Sequence, residues 1–142
     1  MKLPEGRLGI DTVVFIYFME RHPEYHGRAR RLFESAASGE RELVTSALTL
    51  LEVLVVPYRA GNQALAERYE ALLSRSRGLR LIDLDHRVLR AAAQIRAIHG
   101  TRPPDALQLA SAALHGCTAF ITNDRRMPDA GIRVIQLNDL DE

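Results

Sequence analysis

Four carboxylates stand at informative places in this sequence. Asp11 closes the short apolar run RLGI, Glu52 interrupts LTLLEVLVV, Asp105 follows Pro103-Pro104, and Asp124 follows AFIT. Each aspartate alone has a plain structural use, as a cap, a turn residue or a helix-dipole partner. Glu52 sits beside the apolar stripe Leu48, Leu51 and Val55, where a charge is rarely buried without a partner. Gathered in one place, the four would repel one another and their pKa values would rise unless a cation sat among them. A divalent ion with oxygen ligands fits that need. Mg²⁺ takes one or two carboxylates and completes its shell with water and phosphate oxygens, and Mn²⁺ suits the same donors. Such a centre polarises a phosphoryl group and activates water for in-line attack, and a second ion about 3.5–4 Å away stabilises the leaving oxygen. Its positive charge also lets a phosphate backbone approach a group of acids.

The elements around these residues alternate. Arg7 to Ile10, Leu43 to Thr45, Leu79 to Leu84, Ala119 to Thr122 and Arg133 to Leu137 are short apolar, strand-like runs. Between them lie helical patterns. Thr12 to Met19 is apolar throughout, so its periodicity does not separate helix from strand, but Thr12 can open a short helix if Asp11 ends a strand. Glu24 to Ser38 places Ala29, Leu32, Phe33 and Ala36 on one face, with Gly39 as the stop. Ser46 reads as the N-cap of a helix over Ala47 to Tyr58, and Gln63 to Arg75 presents Leu65, Tyr69 and Leu72 or Leu73. Asp85 caps a helix running to His99, which Gly100 closes. Pro103-Pro104 stops one element and starts the next, the alanine-rich helix ending at Leu114. Strands separated by helices predict an α/β fold with a mostly parallel sheet. In such folds ligands bind beyond the carboxyl ends of the strands, where the strand order reverses. Asp11, Asp105 and Asp124 all fall at positions that converge on that edge.

Composition narrows the class. The 142 residues predict a single domain over positions 1–142. Hydrophobic residues are 46% and charged residues 26%, ordinary globular values that exclude a disordered chain, a collagen or a coiled coil. The longest apolar run, Val13 to Met19, is too short to span a membrane, and the N-terminus lacks the apolar core of a secretory signal. Cys117 is the only cysteine, so an internal disulfide is impossible and a reducing cytoplasm is the expected location. The net charge of +1 does not point to a strongly basic nucleic-acid binder, yet of 19 basic residues only Lys2 is lysine. Arginine's planar fork suits bidentate phosphate contacts, although a G+C-rich coding bias accounts for the same count.

The chain resembles the PIN domain, and most closely the VapC-type ribonuclease toxins of toxin–antitoxin pairs. The matching stretches are GIDTVVFIY with Asp11, TSALTLLEVL with Ser46 and Glu52, RPPDALQLASA with Asp105, and AFITNDRRM with Asp124. They occur in the family's order and cover essentially the whole chain. The resemblance implies a three-layer α/β/α sandwich and a Mg²⁺-dependent endoribonuclease, with Mn²⁺ able to substitute. It implies that Asp11, Asp105 and Asp124 hold metal directly or through water, and that Glu52 completes the cluster through water. Thr12, Ser46, Thr122 and Asn123 match polar positions near the family's site, where they orient ligands or phosphate. Some members carry a further carboxylate shortly after the last acid. Here Arg125, Arg126 and Met127 follow Asp124, and Asp129 is not assigned as a ligand, so one or two ions remain open. The implied partners are RNA, a cognate antitoxin protein and a second copy of the chain.

Other signals are weaker. His22 and His26 are separated by Pro23 and read as surface residues, not a zinc pair. Cys117 reads as core, and neither GxxxxGK nor GxGxxG is present. The arginines at 28, 30 and 31 and at 75, 77 and 80 read as solvated helix faces. Arg125 and Arg126 directly follow a metal-ligand candidate, within reach of a substrate phosphate. The helix from Val13 to Phe18 is apolar on every side, so one face should pack on the sheet while the rest is either buried or an interaction patch. The competing functional reading is a non-catalytic RNA- or protein-binding module on the same fold, which would need no metal. A PIN nuclease of general RNA processing would carry the same site.

Overall fold

The computed structural model describes all residues 1–142. Five parallel strands form one sheet: β1 (Leu8–Ile10), β2 (Leu43–Ser46), β3 (Leu79–Ile82), β4 (Ala119–Thr122) and β5 (Arg133–Gln136). Their order is β3-β2-β1-β4-β5. The chain winds outward from β1 to β3 and then returns across the sheet to β4 and β5. The order therefore reverses between β1 and β4, and a cleft opens there beyond the strands' carboxyl ends.

Crossovers between parallel strands are right-handed, so reversing direction moves the helices to the opposite face. Before the reversal come α1 (Thr12–Met19), α2 (His26–Ala37), α3 (Leu48–Arg59) and α4 (Gln63–Arg75). They bury Val14, Phe15, Leu32, Val53 and Leu73 against Leu8, Ile10, Leu43 and Ile121 of the sheet. After it come α5 (His86–His99) and α6 (Pro103–Leu114), which pack on the other face with Val44, Ile82 and Phe120. The result is the expected α/β/α sandwich, with the strand side chains alternating between two cores. Gly9 is required by the second of these. A Cβ there would lie 2.6 Å from the Ala112 Cβ and 2.8 Å from the Phe120 ring, so α6 can approach β1 only because glycine has no side chain.

Most element boundaries follow the sequence, and the departures have local causes. Helix α2 begins at His26, not Glu24, because the backbone N–H groups of Glu24 and Tyr25 donate to His22 Nδ1 in a turn over Pro23. His22 is thus half-buried, tilted against Tyr17 and stacked on Tyr25, and is not a surface residue; His26 stacks on Phe18. Ser46 is the last residue of β2 and Ala47 occupies the cap position of α3, although Ser46 Oγ still accepts from the Leu48 N–H. Two arginines of α2 are not simply solvated. Arg28 Nε donates to the Leu140 carbonyl and Arg31 to that of Asp141, tying down the chain's end.

The apolar helix α1 exposes no large hydrophobic patch: Val14 and Phe15 are buried, and Val13, Ile16, Tyr17 and Phe18 are half-buried against the core. The exposed apolar side chains are elsewhere, chiefly Leu51, Val56 and Tyr58 on α3 and Leu89 and Ile98 on α5. Leu51 is 61% exposed, so the core stripe of α3 is Thr49, Val53, Leu54 and Pro57, not the phase through Leu48, Leu51 and Val55. No helix is long and apolar enough to cross a membrane.

Candidate active site

The four carboxylates meet in one cleft of about 470 Å³ at the carboxyl edge of the sheet, lined also by Thr12, Tyr17, Arg102, Gln108, Asn123 and Arg126. Each arrives by a different route. Asp11 leaves β1 in extended conformation (φ −74°, ψ 154°) and caps α1, its Oδ1 accepting the Thr12 N–H at 2.8 Å. Its other oxygen accepts the Thr122 hydroxyl of β4 at 2.6 Å. The two strands flanking the reversal are thereby stitched through the Asp11 side chain. Burial pushes the Asp11 carboxyl up to about 6; the two hydrogen bonds oppose that rise, while the charges of Asp105 and Glu52 add to it.

Glu52 projects from α3 and accepts the Thr12 hydroxyl at 2.7 Å. Beneath this contact lies a buried polar network whose proton directions can be assigned by elimination. Thr45 Oγ1 donates to the Ile10 carbonyl at 2.8 Å, so its lone pairs remain to accept Thr49 Oγ1 at 2.7 Å. Gln108 Oε1 accepts the Ser46 N–H at 3.3 Å, which fixes the amide orientation. The Gln108 NH₂ then donates to Thr49 at 2.8 Å and to Thr12 at 3.3 Å. Every hydroxyl proton is spent, and the proton of Thr12 goes to Glu52. The 3.1 Å approach of the Thr12 and Thr49 oxygens is therefore a contact between two acceptors that share the Gln108 amide.

The outer acids are held differently. Asp105 lies in the first turn of α6, where two prolines set the helix start and the dipole favours a carboxylate. Its Oδ2 accepts Arg102 Nε at 3.3 Å and a terminal Arg102 nitrogen at 3.2 Å. Asp124 follows β4, its N–H bonded to Thr122 Oγ1 at 3.0 Å. Its Oδ1 accepts Arg126 Nε at 3.1 Å and the Arg126 N–H at 2.9 Å, and its Oδ2 accepts a terminal Arg126 nitrogen at 3.3 Å. Arg102 lies 3.6 Å from the same Oδ2. The hydrogen-bonded Arg126, and secondarily Arg102, hold the Asp124 carboxyl below the usual carboxylate range.

The sequence-derived polar candidates separate into three groups. Thr12 and Asn123 line the cleft. Asn123 also braces it, its Oδ1 accepting the Asn138 N–H at 3.1 Å. Ser46 and Thr122 are fully buried beneath it, so they support the site and do not face it. Arg126 lines the cleft while Arg125 is exposed outside it. Sequence reasoning missed Gln108, Thr49 and Arg102. The signal for Gln108 and Arg102 was their spacing, three residues to either side of Asp105, where a helix brings side chains together.

A divalent cation fits the chemistry of this set: four carboxylates, all hard oxygen donors, with Asp11 pushed upward chiefly by its burial. As placed, no three acidic, histidine or cysteine side chains converge closely enough to share one ion. Asp105 and Asp124 are engaged by arginines instead.

Comparison with known proteins agrees with this architecture. No curated protein sequence matches the chain. A toxin–antitoxin complex from Klebsiella pneumoniae superposes with TM-score 0.68 at 22% identity, covering 92% of this chain and 97% of the other. DNA-bound VapBC from Salmonella typhimurium is 26% identical with TM-score 0.63, covering 95% and 99%. VapC20 of Mycobacterium tuberculosis, a sarcin-ricin loop cleaving toxin, gives TM-score 0.68 at 20% identity, covering 89% and 95%. The family model of the PIN domain matches residues 9–132, from the middle of β1 to the last residue before β5, and the chain belongs to the PIN-domain family.

Proposed function

We propose that the protein is a metal-dependent endoribonuclease, a single catalytic domain over residues 1–142, acting in the cytoplasm as the toxin of a type II toxin–antitoxin pair. The observation that carries this reading is the meeting of Asp11, Glu52, Asp105 and Asp124 in one cleft at the point where the strand order reverses. The structural similarity to toxin–antitoxin complexes, and to a toxin that cleaves the sarcin-ricin loop, supports the choice of RNA and of an antitoxin partner.

In this reading Asp11, Asp105 and Asp124 hold Mg²⁺ or Mn²⁺, one ion or two, and Glu52 assists through water. Bound there, the ion supplies Lewis-acid polarisation of the phosphoryl group and a more acidic water. The chain's own residues do the positioning. Thr12 donates its proton to Glu52 and so orients that carboxylate at the cleft. Asp11 is fixed on both oxygens by Thr12 and Thr122, so its geometry is set before any ligand arrives. Arg102 and Arg126 at the mouth are forks suited to phosphate. A second copy of the chain covers the exposed Leu51, Val56 and Tyr58 of α3.

Calorimetric titration with Mn²⁺ tests this without knowledge of the RNA. The parent should bind, and Asp11→Asn and Asp105→Asn should lose binding. Equal weak binding in all three would move the assignment to a non-catalytic RNA- or protein-binding module.

A further inference from the structure

The acids at the mouth of the cleft already have cations. Arg102 reaches Asp105 at 3.2 Å and Asp124 at 3.6 Å, bridging α6 to the segment after β4. Arg126 grips both oxygens of Asp124. These carboxylates belong to the candidate metal set, and as placed no three of its acids converge on one point. Both guanidinium side chains are open to solvent, 60% exposed for Arg102 and 75% for Arg126. Each is thus free to leave its carboxylate without disturbing the core. The backbone at Arg102 is fixed by contrast: two prolines follow it at the start of α6, and Arg96 Nε donates to the neighbouring Thr101 carbonyl at 3.0 Å. Only the Arg102 side chain needs to move.

Resting on the nuclease reading, we propose that Arg102 and Arg126 are an internal counter-cation that competes with the metal for Asp105 and Asp124 and passes to the RNA phosphate when the metal enters. A guanidinium and a divalent ion draw on the same lone pairs of these carboxylates and repel each other at such short range, so each weakens the other's hold. Loading metal therefore breaks these ion pairs, and the metal-free chain binds metal less tightly than its donor set allows. The displaced arginines are then free to grip phosphate bidentately. A phosphate that takes the arginines relieves the competition, so metal and RNA each tighten the binding of the other. Arg102 and Arg126 are positioning residues that link two ligands, and they hold the outer acids in ion pairs until metal enters.

The test is Mn²⁺ calorimetry on the full chain and on Arg102→Gln, Arg126→Gln and the double variant, with and without an uncleavable 2′-O-methyl RNA oligonucleotide. Loss of an exposed ion pair should tighten Mn²⁺ binding about 2–5-fold in each single variant when no RNA is present. In the parent the oligonucleotide should tighten Mn²⁺ binding, and in the double variant that effect should vanish. A purely structural role would lower the melting temperature and leave the coupling intact. Parent binding that depends on Asp11 but is matched or weakened in both arginine variants would overturn this proposal and leave the nuclease reading standing. No Mn²⁺ binding by any of the four chains would overturn both.

Discussion

Replacing Asp11 with asparagine should stabilise the metal-free protein, although it removes one of the cleft's four carboxylates. Burial raises the Asp11 carboxyl from 3.8 to about 6, so the folded chain holds this proton more tightly than the unfolded one. The sign follows from linkage: the stability this group contributes is full below the unfolded value and is lost as pH rises through the folded one. At pH 8 the shift of roughly two units, at about 1.36 kcal/mol each, makes the ionised Asp11 cost ~3 kcal/mol. At pH 5 the same relation gives ~1.5 kcal/mol, and near pH 4 the cost falls to about 0.5 kcal/mol. Asparagine imitates the protonated carboxyl. Its oxygen can still accept the Thr12 N–H, and its amide can donate to Thr122 Oγ1. Urea denaturation in EDTA at pH 8 and pH 5 reads the difference directly. Asp11→Asn should exceed the parent by ~2–3 kcal/mol at pH 8, with the gap about halved at pH 5. Saturating Mn²⁺ should reverse the order, because only the parent gains binding free energy. A gap that does not change with pH, or a parent more stable than the variant at pH 8 in EDTA, would refute the account of Asp11 as a strained, desolvated charge.

Gln108→Leu should destabilise the fold by about 2–3 kcal/mol, since the buried Ser46 N–H loses its acceptor and the Thr12 and Thr49 oxygens lose their donor; urea midpoints check it, and an unchanged midpoint would mean the network is dispensable. Leu51→Glu and Tyr58→Glu, two turns apart on one exposed face of α3, should convert a dimer to a monomer in sedimentation equilibrium while leaving the melting temperature within a few degrees.

What the sequence disclosed follows from what kind of signal each feature leaves. Elements with chemical punctuation were legible to the residue: Asp85 and Gly100 bound α5, the latter in left-handed conformation at φ 66°, and the strand Ala119–Thr122 was read whole. The four acids were legible because each interrupts an apolar or turn context. Phase was not legible in α3, where LTLLEVLVV is apolar all round and carries no contrast to say which face is buried. Leu51 was assigned to the core and lies outside it. The buried network was hidden for a related reason. Gln108 and Thr49 are ordinary polar residues until the fold brings α3 and α6 together over β2, and no local pattern encodes that meeting. Arg126 was legible from its place just after Asp124, whereas Arg102 was hidden in a chain whose basic residues are nearly all arginine.

The way the four carboxylates are neutralised divides the site in two, and the division bears on where an added cation would act. The outer pair, Asp105 and Asp124, is compensated from within the chain by Arg102 and Arg126. The inner pair, Asp11 and Glu52, receives only hydroxyl and backbone donors, and no arginine, lysine or histidine reaches either within ion-pair distance. The carboxyls of Asp11 and Asp124 are displaced in opposite directions, Asp11 upward chiefly by burial and Asp124 downward chiefly by the hydrogen-bonded Arg126. The hydrogen bonds to Asp11 offset part of the cost of its burial, and the charges of Asp105 and Glu52 add a smaller repulsion. An imported cation gains most against charge that is uncompensated, and the arginines at the mouth leave that charge at the bottom of the cleft. The internal cations thus do not substitute for a metal. They compensate the outer acids alone, and an ion bound among all four carboxylates would have to displace them.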